Sequence, residues 1–230
     1  MTRALRAYND PERARRYHTA QAFDPPRKAR MFEVMLDLLQ GLLPAGGKAL
    51  ELGAGSGDFT KVLLDSGHFS KIILTDGAEE MLALAQTEIQ NERVSFQQLD
   101  FTQRWSPPEL LDAVVSSMAL HHAPDKLFSF QQAFEALKPG GVLVIGDHIA
   151  GVSEVTHRLI ALERARVKQV PEEHLQEWLQ QDANLQAAQG NICEPLDVYL
   201  TSLRQAGFLH VDCLWRDHWM AVLLAVKPYD

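Results

Sequence analysis

The chain has 230 residues, 46% of them hydrophobic and 23% charged, with a formal net charge of −8. That length allows one sizeable buried core, and the acidic balance argues against a nucleic-acid backbone binder, which needs a basic surface. Cys193 and Cys213 make neither a disulfide framework nor a metal-type pair, no apolar run approaches the ~18 residues of a membrane span, and no apolar h-region follows Arg3 and Arg6, so a cytoplasmic protein without membrane segments is expected.

Residues 1–30 are basic and broken by Pro11, Pro25 and Pro26, which predicts a solvated helix and an extended link. Met31, Val34, Met35, Leu38, Leu39 and Leu42 then recur at three and four residues. This spacing predicts an amphipathic helix over 28–43, stopped by Pro44 and Gly46-Gly47.

Ala49, Leu50 and Leu52 read as the end of a buried strand, and Phe59, Val62, Leu63 and Leu64 as the start of a helix that closes at Gly67. Between them stand Gly53, Gly55 and Gly57. Strand, glycine turn and helix together open a nucleotide-binding α/β fold. The spacing is G-x-G-x-G, not the G-x-G-x-x-G of dinucleotide sites. Asp58 occupies the place of the third glycine of that pattern, and Glu51 precedes the first glycine here. Two carboxylates at this turn would repel a pyrophosphate. They suit a ligand with positive charge and no phosphate, such as S-adenosylmethionine with its sulfonium and ammonium groups. Glu51-Leu-Gly53-Ala54-Gly55-Ser-Gly57 resembles motif I of the class I S-adenosylmethionine-dependent methyltransferases.

A second strand over 71–75 ends at Asp76, 19 residues after Gly57 in the sequence. At that offset an acidic side chain meets ribose hydroxyls. Thr75-Asp76-Gly77-Ala-Glu-Glu-Met81-Leu82 resembles motif II of the same family, with Ala78 and Met81 implied as part of the adenine wall. A third strand over 93–99 ends at Asp100-Phe101, and the resemblance implies that Asp100 takes the adenine amino group while Phe101 offers its amide and an apolar face. Residues 112–120 form the fourth strand, opened by Asp112 and delivering Ser117 and Met118 to the sulfonium. The turn Leu120-His121-His122-Ala-Pro124-Asp125 resembles one common in small-molecule methyltransferases. A helix over 126–138, a tight turn at Lys138-Pro139-Gly140-Gly141 and a strand over 142–145 follow, ending at Gly146-Asp147-His148 on the ligand side.

Residues 151–195 form a helical insert with a break at Pro171, which the resemblance implies covers the substrate. A helix from Leu196 and a hairpin of 208–215 with 218–226 close the chain. The expected fold is a seven-stranded, mostly parallel sheet with helices on both faces and a C-terminal antiparallel hairpin. It forms a single domain over 1–230, divided into an N-terminal lid (1–30), a cofactor-binding core (45–150), the insert, and the final helix and hairpin (196–230). The lid role is implied by the family, with Tyr8, Tyr17 and His18 able to face a substrate.

Methyl transfer from a sulfonium is an in-line displacement whose leaving group is a neutral thioether. Alignment can supply up to ~7–11 kcal/mol, and a base is needed only when the acceptor must lose a proton. His121, His122 and His148 are the candidate bases, with Tyr17 and His18 as weaker ones. The expected function is therefore transfer from S-adenosylmethionine, leaving S-adenosylhomocysteine, to a small-molecule acceptor by a monomer or homodimer, with no metal. The rivals are an NAD-dependent oxidoreductase, a tRNA-modifying methyltransferase and a non-catalytic S-adenosylmethionine-binding protein.

Overall fold

The computed structural model describes residues 3–19 and 23–229, and leaves the side chains of Arg3, Ala4, Ala7 and Tyr17 undescribed. Any role for Tyr17 thus lies outside the described residues. Two short helices, α1 (Arg3–Tyr8) and α2 (Pro11–Thr19), precede α3 (Pro25–Leu42). Helix α3 starts three residues before the expected position. Pro25 and Pro26 occupy its first turn, where no N–H is needed, and Asp24 caps it by accepting from Arg27 N at 3.2 Å. Prolines that read as a break are here the helix start.

Among the described residues one sheet of seven strands forms: β1 (Gly47–Leu52), β2 (Phe69–Asp76), β3 (Val94–Gln98), β4 (Leu111–Ser117), β5 (Leu137–His148), β6 (Leu209–Asp217) and β7 (Met220–Val226). Their order is β3-β2-β1-β4-β5-β7-β6. The first five strands pair in parallel, and β7 lies antiparallel to both β5 and β6. The order reverses between β1 and β4, which is where ligands enter an open α/β sheet. Helices α4 (Asp58–Asp65) and α5 (Glu79–Glu88) join α3 on one face, and α6 (Lys126–Ala136) and α9 (Leu196–Gln205) cover the other. Two apolar cores follow, one around Met31, Met35, Phe59 and Leu74, the other around Phe130, Leu143 and Tyr199.

Three expected boundaries move. Strand β4 stops at Ser117, because Met118 takes a left-handed conformation (φ 55°) and Leu120–His122 curl into a 3-10 turn. Residues 138–141 are a bulge inside β5 rather than a separate turn: Leu111 pairs with Leu137, yet Ala113 pairs with Val142. Gly140 at φ 74° permits the excursion. The hairpin turns at His218-Trp219, since Arg216 and Asp217 still pair with Ala221 and Met220.

Gly146 lies where β5 runs under α3. A Cβ there would fall 2.4 Å from Met35 Sδ and 2.9 Å from Met31 Sδ. Both methionines are fully buried. Gly146→Val is therefore expected to destabilise the protein by roughly 2–3 kcal/mol through overpacking. Chemical denaturation is the check; a midpoint equal to that of the parent would show that α3 yields freely.

Candidate active site

Beyond the carboxyl ends of β1, β2 and β4 lies a cavity of about 620 Å³, partly open to solvent. Gly53 and Gly55 form its floor, both at positive φ, where a side chain would be strained. A Cβ on Gly53 would meet Ala119 Cβ at 2.5 Å. Asp76 stands in the wall, accepting from Gly55 N through Oδ2 and from Ala78 N through Oδ1, each at 2.8 Å. Burial raises its carboxyl above the ordinary value, opposed by the N–H groups of Ala78, Gly55 and Gly77. Asp100 folds back on Thr102, accepting from its N–H at 2.9 Å and its hydroxyl at 2.6 Å. Gly77, Met81, Phe101 and Met118 complete the lining among the expected residues, with Leu5 and Tyr8 of α1 as a cover.

Four expected cofactor residues lie outside this lining. Ala54 gives its N–H to Thr75 O at 2.8 Å. Gly57 is a packing glycine, since a Cβ there would strike Ile89 Cδ1 at 2.5 Å. Ser117 ends β4 just short of the cavity. Glu51 is buried beneath the loop, accepting from Thr60 Oγ1 at 2.5 Å, and burial pushes its carboxyl up to about 8.

The charge argument drawn from Glu51 and Asp58 is thereby corrected. Glu51 is mostly protonated at neutral pH. Asp58 is paired with Lys28 Nζ at 2.6 Å, and although burial acts against it, that ammonium holds its carboxyl below the ordinary value. What disfavours a pyrophosphate is instead the loop's own bonding. The N–H groups of Ala54, Gly55 and Gly57 are taken by Thr75 O, Asp76 Oδ2 and Ala54 O, at 2.8, 2.8 and 2.9 Å. They are not free to cradle a phosphate.

The three candidate histidines come together. The His121 ring centroid lies 4.1 Å from that of His122 and 4.9 Å from that of His148. His121 Nδ1 meets Asp147 Oδ1 at 2.6 Å, and His148 N donates to the same oxygen at 2.8 Å. Asp147 is fully buried; burial would raise its carboxyl, but His121 and His148 hold it below the ordinary value. His122 Nδ1 donates to Gly190 O at 3.3 Å. Burial, then His121, lowers His122 to about 4 and His148 to about 3.

These rings face a second cavity, of about 1040 Å³ and partly open to solvent. Its far side comes from the insert: Arg164 on α7 (Glu154–Val167), Leu185 and Gln186 on α8 (Leu175–Ala188), then Gln189 and Asn191. His18, Phe23 and Lys28 close it from the N-terminal side. Arg164 forks onto Asp182 of α8 at 3.0 and 2.8 Å, with its guanidinium 4.4 Å from the Phe23 ring centre. Tyr8, Met118 and His122 line both cavities.

The polar residues of the insert and the Asp147–His121 pair were missed individually from sequence. Asp147 carried a usable signal, since it ends a strand on the ligand side. Gln186, Gln189 and Asn191 carried none, being polar residues in a polar stretch.

Residues 50–145 match the family described as methyltransferase domain. Trans-aconitate 2-methyltransferase of Variovorax paradoxus is 32% identical over 119 residues, 51% of this chain and 44% of that protein. 27-O-demethylrifamycin SV methyltransferase of Amycolatopsis mediterranei is 28% identical over 121 residues, 50% and 44% of the two chains. The chain thus spans less than half the length of these curated relatives. In fold it is similar to phosphoethanolamine N-methyltransferase 2 of Haemonchus contortus, solved in complex with S-adenosyl-L-methionine, with a TM-score of 0.64 at 16% identity over 85% of this chain and 52% of that one. Residues 50–145 thus match a methyltransferase domain, and the strand order is that of a fold similar to the solved S-adenosyl-L-methionine complex.

Proposed function

We propose that the chain transfers a methyl group from S-adenosylmethionine to a small-molecule acceptor held in the second cavity. The observation that carries this reading is the wall common to both cavities. A cofactor in one and an acceptor in the other meet across Tyr8, Met118 and His122.

The residues of the first cavity fit the cofactor. Asp76 accepts from the N–H groups of Gly55 and Ala78 and stands in the cavity wall, where a carboxylate can also accept from ribose hydroxyls. Leu99, Phe101 and Met81 offer an apolar slot for a purine, with Asp100 at its edge. Gly53 and Gly55 leave room for the ligand's main chain. When bound, the cofactor supplies an electrophilic methyl on a sulfonium. The protein aligns the acceptor and excludes water, with residues 1–30 and 151–195 as covers. The named substrates of the two relatives are small molecules, which supports that acceptor class. We place the protein in the cytoplasm, as a monomer or homodimer, where its two free thiols suit a reducing compartment. No described helix is long and apolar enough to cross a membrane.

Calorimetric titration tests the reading. Heat with S-adenosylmethionine and S-adenosylhomocysteine, and none with NAD, is expected. Heat with NAD alone would overturn it.

A further inference from the structure

The two relatives act on acceptors of opposite character: trans-aconitate is a polycarboxylate, whereas an O-demethylated rifamycin offers a hydroxyl. The second cavity discriminates between such classes. Among its described lining residues, the cations Lys28 and Arg164 each face a carboxylate already, Asp58 at 2.6 Å and Asp182 through a two-bond fork. His18 lies 3.4 Å from Glu88. No cation there is left without a carboxylate partner to receive a polycarboxylate, and desolvating several carboxylates without a counter-charge is costly. The lining carboxylate, Asp58, is likewise engaged, so an ammonium finds no anion. The rest of the lining is Ser56, carboxamides, apolar side chains, the rings of Tyr8 and Phe23, and the three histidines, of which His121 already faces Asp147.

His122 adds the chemistry. A carbonyl oxygen only accepts, so the contact with Gly190 O puts hydrogen on Nδ1 and leaves the lone pair on Nε2. The ring is uncharged at neutral pH, since burial holds it at about 4. It stands in the wall between the cavities, where a proton would have to leave. A carboxylate acceptor carries no such proton and has no use for a base.

Resting on the methyl-transfer reading above, we infer that the acceptor is a neutral aromatic alcohol, a phenol or fused-ring equivalent, methylated on its hydroxyl oxygen with His122 Nε2 taking the proton. The oxygen–carbon bond forms as the carbon–sulfur bond breaks. The electron pair leaves with the sulfur as a neutral thioether, and the proton passes from oxygen to His122 and on to solvent.

The test uses the full chain, 1-naphthol and trans-aconitate. With the enzyme saturated in S-adenosylhomocysteine, calorimetry is expected to show naphthol binding and no trans-aconitate binding. With labelled S-adenosylmethionine, the methyl ether of naphthol should form. His122→Phe should lower kcat at least about 100-fold, the low end for a lost general base, with naphthol still bound and KM changed by far less than kcat. Binding or esterification of trans-aconitate, failure of naphthol to bind, or an undiminished kcat in His122→Phe would each overturn the inference while leaving the methyl-transfer reading intact, provided the cofactor binds. Absence of cofactor binding would remove both.

Discussion

Asp76→Ala is expected to lower S-adenosylmethionine affinity by about 100-fold or more while the protein stays folded. The carboxylate stands in one wall of the first cavity, where it can accept from both ribose hydroxyls. A hydrogen bond to a charged group contributes roughly 1.5–3 kcal/mol, and two such bonds to ribose hydroxyls multiply to about two decades or more in affinity. The substitution also strips acceptors from Gly55 N and Ala78 N, so the loop that forms the floor loosens. That second effect costs on the order of 1–3 kcal/mol per buried N–H left unmet, within the ordinary stability of a domain. Asp76→Asn separates the two, because its amide oxygen restores one backbone acceptor but not the charge. Calorimetry on both variants, with thermal unfolding as control, is the measurement. Unchanged affinity in the alanine variant would sink the ribose assignment.

Glu51→Gln is expected to stabilise the protein, and more so as pH rises. Burial lifts the folded carboxyl from 4.5 to about 8. Through that interval the native state keeps a proton that the unfolded chain has released. Stability is therefore lost progressively as pH climbs from about 4.5 to about 8. At pH 7 the accumulated cost is on the order of 3 kcal/mol. Glutamine keeps the shape and the oxygen that accepts from Thr60 Oγ1, but has nothing to ionise. Urea midpoints of the two proteins should coincide near pH 4.5 and diverge toward pH 8, the variant being the more stable. A variant less stable at pH 8 would mean that the native carboxyl is ionised and held by a partner. Cofactor affinity on the same variant is informative too: a loss of tenfold or more would return Glu51 to the ligand contacts from which its burial removes it.

The core of this fold was readable because its signals are local. Glycine spacing, apolar runs and strand-end acids each lie within a few residues, and β1, β2 and the helices that follow them fall where those patterns place them. Errors arose where a residue's meaning depends on a distant partner. Pro25 and Pro26 read as a break, yet the same restriction of φ suits a first helical turn once Asp24 caps it. Asp58 read as a free anion, but Lys28, thirty residues earlier, cancels it. Glu51 read as a charge, whereas the sheet buries it into neutrality. The second cavity was the least legible part. Its walls come from α2, the turn after β4, the end of β5 and the insert, and polar residues in exposed-looking helices give no periodic trace of the side they turn inward.

The place of β7 has a consequence for synthesis. It is buried along its whole length, wedged between β5 and β6, and Ala221 pairs with Asp147 while Met220 pairs with His148. The outer edge of β5 therefore has no neighbour until the ribosome has passed residue 226. Until then the strand carrying Asp147 and His148 is a raw margin open to water and to other chains, the kind of unpaired border that invites aggregation. The imidazole cluster thus matures only after β7 is made, although His121 and His122, two of its three rings, are translated well before that strand.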